Sequence, residues 1–496
     1  MTRVIRRLIL LMAPIVAGWP MQVPAQHYRL RLDANAQSAA FRRLVPDSIL
    51  ATRVVASPNG GLQTPDGYAV RCLGNDYCLF MRTGDALRAV PVSTTVNLAA
   101  WGFGVEGLSL QATGRVIADA GRDRVWPGTS PTGQLLEGYV EYQRGVIVAR
   151  AGRQLLSSRL EPLGFDGATV KSRWDRASME FTAYAGWGLA QASALGVTNP
   201  LLNPLDEWRP RDRQTVAGAE VQYRGERIDV RTEYRREIDP RDHYFVSERA
   251  TVSLGARLAN LRLIGGADLD LLDNSPGSAD LTATYMQPRF SVSAGVRRYQ
   301  PYFNLWTLWG AFNPVAYHAV NATAELRPRS WLTVHASGEL YAYEDAEIST
   351  GVVPDLTNRG RRLSSGATVT IGNAVTIDGH YDLERGPGAA GQYGDIAVSY
   401  APSDQYALSV YGGTMARPLE LRYFDATARW IGTRADWRLS SHHRMWGDLA
   451  FMRDARDRPD AAATSLAQVR ARAGVSVTFG SRADRLALPK ARRMTP

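Results

Sequence analysis

The side chains that most often perform catalysis are present, but their spacing forms no catalytic motif. The chain has no Gly-x-Ser-x-Gly nucleophile elbow, no phosphate-binding glycine loop and no His-Glu-x-x-His metal pair. It also lacks Cys-x-x-Cys-His, so it carries no attachment site for a c-type haem. The histidines on regular segments are candidates in principle only: His318, His335, His380, His442 and His443. The sequence therefore predicts a protein that is not an enzyme and holds no cofactor.

The densest cluster of acids is formed by Asp268, Asp270 and Asp273. Oxygen ligands at such a spacing can bind calcium. The cluster lacks the glycine and the distal glutamate of an EF-hand loop, and Asp268 and Asp270 alternate with Ala267 and Leu269 at the end of a predicted strand. We favour a solvated loop rim here and keep a calcium site as the alternative.

Two cysteines, Cys72 and Cys78, are the only ones in the chain. Outside the cytoplasm an isolated pair this close is most simply a disulfide. Gly74, Asn75 and Asp76 between them favour turns, so the bridge is predicted to staple the tip of a hairpin.

A strictly alternating segment begins near residue 227. Ile228, Val230 and Tyr234 would share one face of a strand, and charged side chains would share the other. Placing an arginine deep in the lipid of a bilayer costs about 2–4 kcal/mol. In a membrane-spanning strand the charged face must therefore line a watery or protein-filled interior. The candidate lumen residues of this segment are Arg227, Asp229, Arg231, Glu233 and Arg235.

The same period-two alternation recurs almost to the end of the chain. After the first two dozen residues, no segment has the roughly 20 consecutive apolar residues of a transmembrane helix. Tight turns alternate with longer stretches rich in Pro, Gly, Asp and Asn, such as 187–213, 299–314 and 342–360. This arrangement predicts an all-β fold, a transmembrane antiparallel up-and-down β-barrel of about 22 strands (roughly 20–24), with short periplasmic turns and long external loops. A soluble sandwich or propeller is the alternative, but no blade-like repeat is present.

The ends of the chain differ from the middle. Residues 1–25 have a basic start with Arg3, Arg6 and Arg7, an apolar stretch and a small-residue cleavage site, which is typical of a signal peptide. The barrel is expected over 26–480, with a first strand from His27 to about Arg43 and a first external loop over 44–91. A basic periplasmic tail is expected over 481–496. These features predict the outer membrane of a Gram-negative-type bacterium, with both termini periplasmic.

The formal charge of +10 falls to +7 without the signal peptide, and the positive charge is spread evenly along the chain. Blocks of basic residues, which nucleic-acid binding usually requires, are missing. We therefore expect no nucleic-acid partner. Scattered arginines suit a wet barrel wall or contact with the phosphates of outer-membrane lipid and lipopolysaccharide.

The last predicted strand, Gly474-Val-Ser-Val-Thr-Phe479, resembles the final strand of outer-membrane proteins. That resemblance implies recognition of the aromatic end by the barrel-assembly machinery, although such chains usually stop there and this one continues. A second resemblance, to alginate-export-type porins, covers Ala151-Gly-Arg-Gln154 and Gly164-Phe-Asp-Gly167. It implies that Arg153, Asp166, Arg159 and Arg173 lie on the wall or on an infolded loop, as lumen or constriction residues. The alternative is that they are ordinary strand and turn residues.

One predicted loop is unusually apolar for an external segment; it contains Tyr302, Phe303, Trp306, Trp309 and Phe312. An exposed apolar loop must be covered, for example by a partner, a sugar or the lumen itself. The leading functional prediction is a porin-like channel for small hydrophilic solutes, narrowed by the loops over 187–213, 299–314 and 342–360. The alternative is a sheath around a lumen-filling protein, such as a multihaem cytochrome, or another export conduit.

Overall fold

The computed structural model describes the chain from residue 27 to residue 480 with several gaps. The described residues are 27–56, 61–72, 74, 76–121, 126, 133–160, 162–189, 214–238, 246–272, 274–300, 316–344, 358–386, 389–417, 425–458 and 461–480. The predicted signal peptide, the basic tail and the aromatic loop over 302–312 lie outside these residues.

The strands follow one another along the chain, each antiparallel to its barrel neighbours. Their bounds are β1 His27–Leu50, β2 Val55–Ala56, β3 Leu62–Gln63, β4 Val70–Cys72, β5 Tyr77–Ala89, β6 Pro91–Trp101, β7 Leu108–Asp119, β8 Gly133–Arg144, β9 Ile147–Leu156, β10 Leu163–Trp174, β11 Met179–Gly188, β12 Thr215–Arg224, β13 Ile228–Ile238, β14 Val246–Leu258, β15 Leu261–Asp270, β16 Ser275–Gln287, β17 Phe290–Tyr299, β18 Tyr317–Arg329, β19 Leu332–Tyr343, β20 Arg359–Ile371, β21 Val375–Gly386, β22 Ala389–Ser403, β23 Tyr406–Arg417, β24 Asp425–Arg438, β25 His443–Arg458 and β26 Ala461–Gly480. Two single-turn 3-10 helices cover Ala51–Arg53 and Asp175–Ala177.

Within the described residues, β1 and β6–β26 form a closed antiparallel barrel of 22 strands with up-and-down topology. The seam closes because β1 pairs on one side with β26, placing Arg29 opposite Gly480, and on the other side with β6. Closure leaves no unpaired edge, which is what a sheet needs in an environment without water. The predicted fold class and strand number are confirmed. No described helix is long and apolar enough to cross a bilayer.

The first strand is longer than the sequence predicts. Beyond Ser38, β1 leaves the wall and pairs with β5 as far as Leu50, opposite Tyr77. β4 pairs with β5 in turn, and the predicted disulfide between Cys72 and Cys78 joins them. The segment predicted as a loop over 44–91 therefore contains a disulfide-linked antiparallel sheet that extends beyond the barrel.

The two ends of the barrel differ in their connections. At one end the turns are short, as at Gly145–Val146 and Ala259–Asn260. At the other end lie the longer connections, including 189–214 and 300–316, and the extension of β1. We call these the short-turn end and the long-loop end.

The outward face of the wall is apolar at mid-height. Its bulky side chains are more than two-fifths exposed, and we call them the apolar belt: Val170, Val252, Leu281, Val296, Val320, Leu340, Ile396, Val410, Ile431 and Leu449. Exposed aromatic side chains follow toward the short-turn end: Trp174, Tyr223, Tyr285, Tyr400, Trp437 and Phe479. An apolar band edged by aromatic residues is the surface that a bilayer requires.

Candidate functional site

The charges predicted for the lumen lie on the inward face of β13. Ile228 and Tyr234 are exposed on the outward face, whereas Glu233 and Arg235 each retain 5% exposure inside the barrel. Asp229 and Arg231 share the inward face by strand alternation. Arg227 lies outside the strand, in the turn before Ile228.

The connection between β9 and β10 folds into the barrel and lies against this face. Arg231 Nη2 donates to the carbonyl oxygen of Ser157 at 3.1 Å. Arg235 donates from Nη1 to the carbonyl oxygen of Leu160 at 3.0 Å and from Nη2 to Ser158 Oγ at 2.9 Å. Leu160 is almost completely buried. We call the described part of this connection, residues 157–160 and 162, the inner loop.

The side chain of Arg159 connects the inner loop to strands that are not neighbours of β9 or β10. Its Nε donates to Asp268 Oδ1 of β15 at 2.8 Å, and its Nη2 donates to Asp280 Oδ1 of β16 at 2.5 Å. Burial opposes the charge of Arg159, but the hydrogen bonds to Asp280 and Asp268 outweigh it and raise the guanidinium pKa. Because β11–β14 separate β10 from β15, the inner loop crosses the inside of several strands.

A buried cluster around Arg235 anchors the inner loop to the wall. Arg235 Nη2 lies 3.3 Å from Glu233 Oε1, and Tyr184 Oη donates to the same oxygen at 3.0 Å. Arg235 Nη1 lies 4.0 Å from Glu237 Oε1, and the side chain of Glu237 retains 2% exposure. Removing one partner of such a buried network leaves an uncompensated charge, so single substitutions in this cluster are expected to destabilise the barrel.

An apolar cluster lies inside the barrel beside the inner loop. Leu163, Phe165, Tyr184 and Val216 are buried together, and Leu156 packs against them. The rings of Phe165 and Tyr184 are 5.7 Å apart. Leu156 and Leu163 flank the two ends of the inner loop, so apolar packing as well as charged contacts holds the loop at its ends.

Arg153 and Asp166 form a close pair, but on the other face of the wall. Arg153 donates from Nε to Asp166 Oδ1 at 2.7 Å and from Nη2 to Oδ2 at 3.0 Å. By register, Asp166 faces Trp187, and Arg153 shares the side of Leu155; Trp187 and Leu155 are more than half exposed outward. The prediction that Arg153 and Asp166 line the lumen is therefore corrected. They lie near the long-loop end of their strands, where charge on the outward face costs little.

Arg173, the remaining residue suggested by the porin resemblance, is inward, opposite Glu180. Glu180 accepts hydrogen bonds from Lys171 Nζ at 2.8 Å and from Arg173 Nη2 at 3.2 Å. This group lies toward the short-turn end, away from the inner loop. It contributes charge to the lumen wall without touching the constriction.

The acids considered for calcium have arginine partners. Asp268 accepts from Arg159, and Asp270 Oδ2 lies 3.5 Å from Arg249 Nη2. Asp273 lies outside the described residues. Within the described part of the chain, no group of three or more His, Cys, Asp or Glu side chains is arranged to hold a metal ion. The geometry thus gives Asp268 a role in fixing the inner loop, whereas Asp270 pairs with Arg249 of the neighbouring strand β14.

A second inward cluster, not predicted from the sequence, lies near the long-loop end of β18–β21. Arg362 donates to Glu384 Oε1 at 2.7 Å and to Glu339 Oε1 at 2.8 Å, and its guanidinium carbon lies 4.6 Å from the centre of the Tyr341 ring. Tyr317 and Tyr343 pack beside Tyr341. Glu339, Tyr341 and Tyr343 occupy alternate positions of β19, and this spacing is the sequence feature that could have predicted their common inward face. This cluster gives the lumen an aromatic and charged wall patch.

Comparisons with known proteins return structures only. No protein-family model matches the chain, and no match is found among curated proteins. The siderophore receptor PirA from Pseudomonas aeruginosa is 12% identical with a TM-score of 0.49, over 91% of this chain and 80% of that one. A BenF-like porin from Pseudomonas fluorescens is 10% identical with a TM-score of 0.40, over 92% and 98% of the two chains. OccK8 (OprE) from Pseudomonas aeruginosa is 9% identical with a TM-score of 0.36, over 92% and 99%.

At these identities and TM-scores the matches are likenesses of overall shape. The fold of this chain is established by its own closed strand pairing. Its function has to be inferred from its own wall, its inner loop and the charges between them.

Proposed function

We propose that the protein is an outer-membrane channel that passes small hydrophilic solutes through a charged lumen narrowed by the inner loop. The observation that carries the proposal is the inner loop itself, held inside a closed barrel by Arg231, Arg235 and Arg159. The proposal places the short turns and both termini in the periplasm and the long loops outside the cell. It assigns the protein no enzymatic activity and no cofactor.

The apolar belt and the charged interior support this function together. A closed wall with apolar side chains outward satisfies its backbone hydrogen bonds and suits a bilayer. Inside, basic side chains of β13 and acidic side chains of β15 and β16 lie on either side of the inner loop. Opposed charges along a narrow passage set a transverse field that selects solutes by charge and size.

The alternative is a sheath filled by a second protein, such as a multihaem cytochrome. Barrels of 22 strands are wide enough to need a plug. Ile264 lies on the inward face of β15 and is 42% exposed, so it is an apolar lumen side chain that a second protein inside the barrel would cover.

The deciding experiment is single-channel recording of the purified, refolded protein in a planar bilayer. A pore that acts alone gives steady steps, and Arg231→Gln shifts its ion preference toward cations because one lumen charge is lost. Arg153→Gln is the matched control, since it removes an arginine from the outward face. A silent barrel, or an equal shift in both variants, contradicts the proposed channel. Very large, unselective currents would favour the sheath.

A further inference from the structure

Two arginines face each other on the outward surface of neighbouring strands. Arg361 of β20 lies directly opposite Arg385 of β21, and the same register places Arg361 opposite Leu340 of the apolar belt. Both arginines are exposed. Neither makes a hydrogen bond or ion pair with another side chain among the described residues. Like charges directly opposite each other destabilise a sheet, so an anion bound between these two arginines would stabilise the wall.

Further basic side chains extend the surface across β17–β20. Arg298 and His318 lie opposite each other on the outward face, and Arg359 lies opposite Ala342. The one acid among the described outward residues of this surface is Glu344, directly after β19. It accepts from Arg298 Nε at 2.6 Å and lies 2.7 Å from His318 Nε2. We call Arg298, His318, Arg359, Arg361 and Arg385 the basic rim.

An apolar groove lies directly below the basic rim. Its volume is about 690 Å³, and Leu281, Val296, Val320 and Leu340 line it. Arg298, His318 and Arg359 border the same groove. All of the basic rim lies within two residues of the strand ends at the long-loop end. Moving down the wall, a ligand would therefore meet cations first and apolar side chains next.

We propose that the basic rim binds the phosphate groups of a phosphorylated membrane lipid whose acyl chain occupies the groove. Arginine recognises phosphate through paired N–H donors, and basic residues near a bilayer attract anionic headgroups. The order of charge above apolar surface matches the order of headgroup above acyl chain. This inference rests on the membrane location in the proposed function, but it does not depend on whether the lumen conducts.

The test is native mass spectrometry of the full chain, extracted in a mild detergent and titrated with bisphosphorylated lipid A. Dephosphorylated lipid A with the same acyl chains and inorganic phosphate are the comparison ligands. The double variant Arg361→Gln, Arg385→Gln is expected to weaken lipid A binding roughly thirtyfold, from the contribution of each basic residue near a membrane surface. Arg144→Gln with Arg289→Gln removes two exposed arginines at the short-turn end and is the matched control.

Three results would overturn the proposal: binding that survives the double variant, equal binding of dephosphorylated lipid, or displacement of lipid A by millimolar inorganic phosphate. The last result would identify a site for free phosphate. Arg361→Lys with Arg385→Lys keeps both charges and is expected to retain most of the binding, which separates lost recognition from lost folding. A channel that conducts but binds no lipid A refutes this inference alone, and a silent barrel that binds lipid A refutes only the channel.

Discussion

Arg159 Nε donates a hydrogen bond to Asp268 Oδ1 at 2.8 Å, although the two residues are 109 positions apart in the chain. The bond joins the inner loop to a strand that is not adjacent to either end of that loop. A second hydrogen bond, from Arg159 Nη2 to Asp280, joins the inner loop to β16 as well.

Replacing Arg159 by alanine is expected to enlarge the channel. The change removes both carboxylate contacts, so the tip of the inner loop is released from β15 and β16 while Arg231 and Arg235 still hold its base. Single-channel recording should show higher conductance and more current noise than the parent. Asp280→Asn, which leaves the bond to Asp268, should give a smaller effect. An unchanged conductance in Arg159→Ala would show that the inner loop does not limit the passage.

Replacing Arg235 by methionine is expected to destabilise the barrel by about 3–5 kcal/mol, because it leaves Glu233 and Glu237 buried without their arginine. The measurement is the urea concentration at which half of the protein is unfolded, read from the relative amounts of the folded and unfolded bands on a gel. Arg434→Met is the control, since Arg434 is 42% exposed in its pair with Asp436 and should lose only about 0–1 kcal/mol. Similar losses in the two variants would contradict the anchoring role of Arg235.

Replacing both Cys72 and Cys78 by serine is expected to leave the barrel intact. The disulfide lies in the extension formed by β1, β4 and β5, beyond the closed wall. A ring this short stabilises its own segment by about 2 kcal/mol in the chain-entropy description. Limited proteolysis should therefore cut the variant faster within 57–77, while the folded band on a gel is unchanged. Loss of the folded band would show that the extension supports barrel closure.

Glu344 provides a prediction on pH. Its hydrogen bond from Arg298 lowers the carboxyl pKa below the usual value of 4.5. A depressed pKa means that the stabilisation is present above 4.5 and is lost as the pH falls through the lower value of the folded state. Glu344→Gln should therefore lower the thermal midpoint at pH 7, and its difference from the parent should shrink below pH 4.5 and vanish below the lowered pKa of the folded state. A difference between the two that persists at low pH would assign the effect to packing.

The strand plan was predictable from the sequence because barrel strands carry their signal locally. Each strand has one face toward lipid and the other toward the lumen, so apolar and polar residues must alternate along it, as at Ile228–Tyr234. The extension of β1 was not predictable in this way. Residues 44–50 pair with β5 outside the wall, where two solvated faces impose no alternation.

The candidate site was predicted in part. Charge on alternate positions located the inward residues of β13, whereas Arg153 was given as a lumen residue only by the resemblance to alginate-export-type porins. Near the long-loop end a strand arginine can face outward, as Arg298, Arg361 and Arg385 also show. The contact between Arg159 and Asp268 depends on how the inner loop folds over several strands, and no local pattern encodes such a long-range pairing.

The seam between β1 and β26 also imposes an order in time. Arg29 lies opposite Gly480, so the seam joins strands from the two ends of the described chain. Pairings between such distant segments form slowly, because the intervening chain has to be arranged first. Until then, β1 and β26 each present an open edge that can capture a strand of another chain. We therefore expect the seam to close late, and both edges to need protection from other chains until it does.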